Sequence, residues 1–195
     1  MLLYRLAGNL VSFAAPPRCA STWMLNAFSA CGERDGSERN SFAKHQRDTE
    51  PSRIKITTVR NPFEWLVSFW QVVDGPTTIN EVDAIFEHKL KAANFPEFVE
   101  AIVEDERDLI PEMFDSYNGD IVLRVEDLPW AFDEMLTTFG VRGVEDKWTD
   151  EMDSRINVCP RKLKTVAAVD KKDVQRRALF DRHREFYERY EYFGR

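Results

Sequence analysis

The sequence predicts an α/β fold with a mostly parallel central sheet and helices on both of its faces. Two observations carry this. Short apolar or β-branched runs alternate with segments of helical period along most of the chain, the pattern of strand–helix–strand units. Two of the strand-to-helix junctions also carry an arginine together with small hydroxyl residues, and ligands of open α/β sheets bind at such strand ends.

Taken in order, strands are expected at Leu10–Ala15, Ser41–Lys44, Ile54–Val59 and Ile121–Val125. Helices are expected at Ser21–Ala30, Pro62–Val72, Ile79–Ala92, Pro96–Glu104, Leu128–Phe139 and Asp170–Tyr190. Pro62 suits a first helical turn, where its missing N–H would lack an intrahelical acceptor anyway. Ser21 and Thr22 suit the cap of the first helix. Leu128, Phe132, Met135, Leu136 and Phe139 recur at helical spacing, as do Phe98, Val99, Ile102 and Val103, and are read as core. Trp130 and Trp148 fit either the core or the wall of a site.

The 195 residues fit one domain, 1–195, with a basic C-terminal segment over 155–195. An aromatic fraction of 12%, including 14 Phe, argues for a packed globule rather than disorder. Cys19, Cys31 and Cys159 are odd in number and widely spaced, which indicates neither a disulfide framework nor a zinc site and points to reduced thiols in the cytoplasm. Met1–Ala15 is mildly apolar, but Asn9 interrupts it, and cleavage there would remove the strand that presents the first arginine loop. No segment approaches the roughly 20 apolar residues of a membrane span. Net charge is −7, yet 155–195 holds twelve Lys/Arg against six Asp/Glu, a basic segment on an acidic body. The acidic whole, without a basic stripe interleaved with aromatics, argues against nucleic-acid binding.

The junctions themselves suggest a phosphate-bearing ligand. Ile54–Val59 ends on Arg60, and Ser68 falls about two turns into the following helix. A guanidinium fork and a hydroxyl suit a phosphate. Pro16-Pro17-Arg18-Cys19-Ala20-Ser21-Thr22 joins the first strand to its helix, and amides at a helix N-terminus attract anions. The loop is not a Walker A loop, because the Gly-x-x-x-x-Gly-Lys-Ser/Thr spacing is missing.

Together these segments resemble the sulfotransferases that use 3′-phosphoadenosine 5′-phosphosulfate (PAPS), and the glycan and bacterial-type branch more than the cytosolic phenol and steroid branch. Pro17-Arg18-Cys19-Ala20-Ser21-Thr22-Trp23 aligns without a gap with the family's Pro-Lys-Ser-Gly-Thr-Thr-Trp, which holds the 5′-phosphosulfate. Val59-Arg60-Asn61-Pro62 with Ser68 matches the motif that holds the 3′-phosphate. Ile121–Leu128 looks like the family's strand ending in Arg-Tyr-Glu-Asp-Leu, and Phe95–Val99 resembles the start of a family helix. Asn157-Val158-Cys159-Pro160-Arg161-Lys162 resembles a stretch that glycan-modifying members fold over the 3′-phosphate. The resemblance implies a three-layer, P-loop nucleotide-kinase-like sandwich. It also implies contacts to PAPS from Arg18, Cys19, Ala20, Ser21, Thr22, Trp23, Arg60, Ser68, Arg161 and Lys162. Three positions depart from the family: Arg18 replaces a lysine, Val125 replaces a tyrosine, and Ala20 replaces a glycine, so the loop is not expected to take positive φ freely there.

The function implied is transfer of a sulfuryl group from PAPS to a hydroxyl or amine of a small-molecule or glycan acceptor, without a metal. The sulfuryl group moves in line, charge builds on the bridging oxygen, and a base takes the acceptor proton. Arg18 is expected at the leaving group. His45, after Ser41–Lys44, resembles the strand-end Lys-His of glycan 2-O-sulfotransferases and is the candidate base, with Glu33 and Glu50 as reserves. His183 lies among charged residues and is expected in solvent. Two other readings belong to the same fold: a relative that binds a nucleotide or partner without turnover, and a small-molecule kinase, which would need a loop lysine and a Mg²⁺-binding carboxylate.

Overall fold

The computed structural model describes residues 2–34, 50, 51, 53–71, 80–128, 130–142 and 172–192. The expected strand at Ser41–Lys44 lies outside them. Packing divides the chain into two compact units, Met1–Arg60 with Ser116–Val158, and Asn61–Asp115 with Cys159–Arg195.

The first unit is an α/β unit whose described residues form a five-stranded sheet. Its strands are β1 (Leu2–Leu6), β2 (Asn9–Phe13), β3 (Glu33–Arg34), β4 (Ile54–Val59) and β5 (Ile121–Arg124), in the spatial order β3-β1-β2-β4-β5. β2, β4 and β5 run parallel, as expected. β1 pairs antiparallel with both β2 and β3, so the sheet is mixed rather than mostly parallel. The cause is a hairpin that went unread. Ala7 and Gly8 both adopt positive φ, 45° and 87°, the mark of a two-residue primed turn whose twist matches that of its strands. β1 itself alternates, with Leu2, Tyr4 and Leu6 buried and Arg5 exposed.

Among the described residues two α-helices belong to this unit, α1 (Ser21–Cys31) and α6 (Trp130–Thr138). Phe28 of α1 stacks on Tyr4 at 4.9 Å and meets Phe13 at 5.5 Å and Phe132 of α6 at 5.1 Å. This cluster joins both helices to one face of the sheet. Phe132, Met135 and Leu136 are buried as their spacing predicted, while Trp130 is 67% exposed.

The second unit is helical. Its described elements are α2 (Pro62–Trp70), α3 (Asn80–Lys91), α4 (Phe95–Glu104), α5 (Leu109–Asp115), α7 (Lys172–Arg182) and α8 (Arg184–Arg189). Asn61 caps α2 through its side-chain oxygen, which accepts from the amides of Phe63 and Glu64 at 3.0 and 3.3 Å, and Pro62 opens the helix. Asn94 caps α4 in the same way, and Glu97 reaches back to the Asn94 side chain and the Ala93 amide, a variant of the capping box. Trp65, Phe98, Phe114 and Phe186 are fully buried and form the core.

The single helix expected over Asp170–Tyr190 is two. His183 breaks it with φ −116° and ψ 35°, and the chain re-enters a helix as Phe186 and Tyr187 donate to the His183 carbonyl. His183 is 3% exposed rather than solvated, because the break turns its ring into the core. Among the described residues no helix is long and apolar enough to cross a membrane.

Candidate functional site

Three parallel strands bring three of the singled-out segments to one end of the sheet. Phe13 of β2 pairs with Ile56 of β4, and Val59 of β4 pairs with Arg124 of β5. Their carboxyl ends therefore lie side by side. The loop Ala14–Ala20 leaves β2, Arg60 follows β4, and a 3₁₀ turn, Val125–Asp127, follows β5.

The loop is fastened to β4 and the residue after it through two successive carbonyls, those of Arg18 and Cys19. Thr58 is fully buried, and its Oγ1 donates to the Cys19 carbonyl at 2.6 Å. Arg60, 7% exposed, donates through Nη1 to the Arg18 carbonyl at 3.2 Å. Thr58 and Arg60 are two residues apart along an extended chain, so both project from the same side of it. The Ala14 amide adds a bond to the Ile56 carbonyl at 3.2 Å.

Within the loop the Cys19 amide donates to the Pro16 carbonyl at 3.3 Å, closing a turn with Pro17 second and Arg18 third. Arg18 has φ 68°, as the third position of a type II turn demands. Ala20 also takes the left-handed region, φ 54° and ψ 22°. Alanine rather than glycine thus does not keep this position from positive φ; the loop holds it there at a cost of about 1–2 kcal/mol. The two fastenings to β4 over-determine the backbone and offset that cost.

The cap of α1 also differs from expectation. Ser21 and Thr22 belong to the helix itself, and the cap position falls on Ala20, which makes no side-chain cap bond. The left-handed turn at Ala20 starts the helix one residue earlier than a serine cap would. The first-turn amides of α1 therefore receive no acceptor from the cap residue.

Cys19 is fully buried, and burial pushes its thiol up, outweighing the opposite pull of the Arg60 guanidinium. It contributes backbone, not a thiolate. Trp23 packs edge-on against Phe132 at 5.6 Å, so its indole belongs to the aromatic cluster. Arg124 pairs with Asp127, a contact its place in the third motif had not suggested.

The structure thus gathers Arg18, Cys19, Ala20, Ser21, Thr22, Trp23 and Arg60 in one unit. Ser68 is buried in the second turn of α2 in the helical unit. His45, Arg161 and Lys162 lie outside the described residues. Of the reserve carboxylates, Glu33 is exposed on β3, at the sheet edge away from β4, and Glu50 is exposed. Thr58 was missed, although its two-residue spacing from Arg60 was a legible signal. Among the described residues no group of three or more His, Cys, Asp and Glu could hold a metal ion. Comparison with known proteins finds no matching family model, curated protein or solved structure.

Proposed function

We propose that the chain is a PAPS-dependent sulfotransferase that moves a sulfuryl group to a hydroxyl or amine acceptor. One observation carries the reading. The loop aligned with the family's 5′-phosphosulfate motif and the arginine aligned with its 3′-phosphate motif meet at the carboxyl ends of adjacent parallel strands, joined by the Arg60–Arg18 hydrogen bond. Motifs 42 residues apart in sequence have no local reason to meet there.

Each residue then has a role. The amides of the first turn of α1 and the Arg18 guanidinium stabilise the charge that builds on the bridging oxygen as the sulfuryl group departs. Arg60 and Ser68 bind the 3′-phosphate, and Arg161 and Lys162 add charge to the same phosphate. His45 takes the acceptor proton, for which an imidazole is suited near neutral pH. The architecture proposed around them is the three-layer sandwich of the nucleotide-kinase type.

Thermal unfolding with adenosine 3′,5′-bisphosphate (PAP), with adenosine 5′-phosphate and with ATP plus Mg²⁺ tests the reading. PAP at 100 times its dissociation constant should stabilise by about 2.7 kcal/mol, and adenosine 5′-phosphate by much less. Equal stabilisation by both would remove the 3′-phosphate assignment. A preference for ATP, with activity lost in EDTA and restored by Mg²⁺, would replace sulfuryl with phosphoryl transfer.

A further inference from the structure

The helical unit carries a cleft of about 360 Å³, within the range of small-molecule sites, whose nine lining residues include Phe63 and Glu64 of α2, Asp173, Arg176 and Phe180 of α7, Tyr187 of α8 and Tyr192. Four of the nine are aromatic, and the two arginines among them balance the two carboxylates. Arg176 lies over the Phe63 ring at 4.8 Å and donates through Nη2 to Glu64 Oε1 at 2.8 Å. Its Nε–H is buried and reaches no acceptor among the described residues. The Tyr187 hydroxyl is buried beside the Phe63 backbone, and its proton likewise reaches no acceptor among them.

A buried donor without an acceptor costs about 1–3 kcal/mol, so two lining one cleft call for an explanation. Both are donors. Arginine cannot lose its proton at working pH, and burial pushes the Tyr187 phenol well above its ordinary value, so neither can turn acceptor by ionising. What would satisfy them is a group with two oxygen acceptors. The Phe180 and Tyr187 rings meet edge-to-face at 5.4 Å, and Tyr187 meets Tyr192 edge-to-face at 6.3 Å, which makes the rest of the wall suited to a flat apolar body.

We propose that this cleft binds a small planar aromatic carboxylate, its oxygens accepting from Arg176 Nε and the Tyr187 hydroxyl and its ring lying among Phe63, Phe180 and Tyr192. The site lies wholly within the helical unit and does not rest on the sulfuryl-transfer reading. Glu64 holds Arg176 through Nη2.

Titration of the full chain with naphthalene-2-carboxylate tests this, with cyclohexanecarboxylate as the non-planar control. Binding should shift the ring NMR signals of Tyr187 and Tyr192, and the control should bind several-fold more weakly. Tyr187→Phe keeps the ring and removes the donor, and should weaken binding by up to about tenfold. Because it deletes a hydroxyl whose proton reaches no acceptor among the described residues, it should change the melting temperature little. Arg176→Lys should weaken binding similarly while keeping the charge. Absence of ring shifts in the unsubstituted protein at millimolar naphthalene-2-carboxylate would overturn the proposal. So would binding that Tyr187→Phe leaves unchanged.

Discussion

Arg60 holds the peptide of Arg18 from 42 residues away, its Nη1 donating to the Arg18 carbonyl oxygen at 3.2 Å. The guanidinium has five N–H donors, and this bond uses one. The same side chain can therefore brace the loop and bind an anion.

Replacement of Arg60 by alanine should act in two ways. PAP binding should weaken by about 1.5–3 kcal/mol, the range for hydrogen bonds to charged groups, measured by calorimetric titration. Adenosine 5′-phosphate should lose much less. Arg60→Lys should recover only part of the loss, because an ammonium cannot match the guanidinium fork.

Ala20→Gly should stabilise the protein modestly. Glycine removes about 1–2 kcal/mol of left-handed strain but adds about 0.4–1 kcal/mol of unfolded-state freedom. A net gain below about 1.5 kcal/mol is expected from denaturant unfolding. Ala20→Val should destabilise by more than that, since a β-branched residue tolerates φ near 54° poorly.

Gly119 stands just before β5 for lack of space. A Cβ there would meet Thr57 Cγ2 at 2.6 Å and the Ile121 carbonyl oxygen at 3.0 Å. Gly119→Ala should cost about 1–3 kcal/mol, read from the shift of the urea midpoint. Gly119→Ala combined with Thr57→Ser, which removes the clashing methyl, should recover part of it.

His183 makes the fold sensitive to acid. Burial lowers its pKa from 6.5 to about 4, with Asp108 Oδ1, 3.6 Å from Nδ1, opposing the shift. Arg182 faces the same carboxylate at 3.3 Å and adds to the lowering. Between about pH 4 and 6.5 the unfolded chain binds the proton and the folded chain does not. The contribution of this residue is therefore full above pH 6.5 and falls by up to roughly 3 kcal/mol as pH drops to 4. Denaturant unfolding at pH 4.5 and 7.5 measures this, and His183→Phe should flatten the difference.

If His45 is the base of the proposed sulfuryl transfer, His45→Ala should lower turnover by roughly 10²–10⁴-fold and leave PAP affinity nearly unchanged. On that reading the rate of the unsubstituted protein should fall toward acid as the imidazole protonates. A variant with full activity would remove His45 from the proposed role.

What could be read in the sequence follows from how local each cause is. Ile54–Val59 was legible to the residue, because a β-branched run followed by Asn-Pro marks its own end. α1, α2 and α4 were legible to within two residues for similar reasons. β1 was not, since its alternation sits in a short N-terminal stretch whose turn, Ala7-Gly8, lacks the Asn-Gly signature of primed hairpins. α5, Leu109–Asp115, was missed because seven residues give too few repeats for a period to show. Motif spacing singled out Arg18 and Arg60, which the structure brings together after β2 and β4. The left-handed Ala20 was not legible, because only the tertiary bonds from Thr58 and Arg60 make that conformation worth its strain.

The chain path through β4 and β5 has a consequence for synthesis. These strands are neighbours in the sheet, and the Lys55 amide also donates to Asp120 Oδ2 at 2.8 Å, yet 65 positions separate the two residues. At roughly 5–20 residues per second, β4 leaves the ribosome several seconds before its second neighbour exists. Throughout that interval Ile54-Lys55-Ile56-Thr57-Thr58-Val59 has a bare edge, and such β-branched runs readily pair with other nascent chains. Lys55 is its only charged residue. Soluble expression should therefore respond to translation speed through the codons for Asn61–Asp115, with no change in the finished protein.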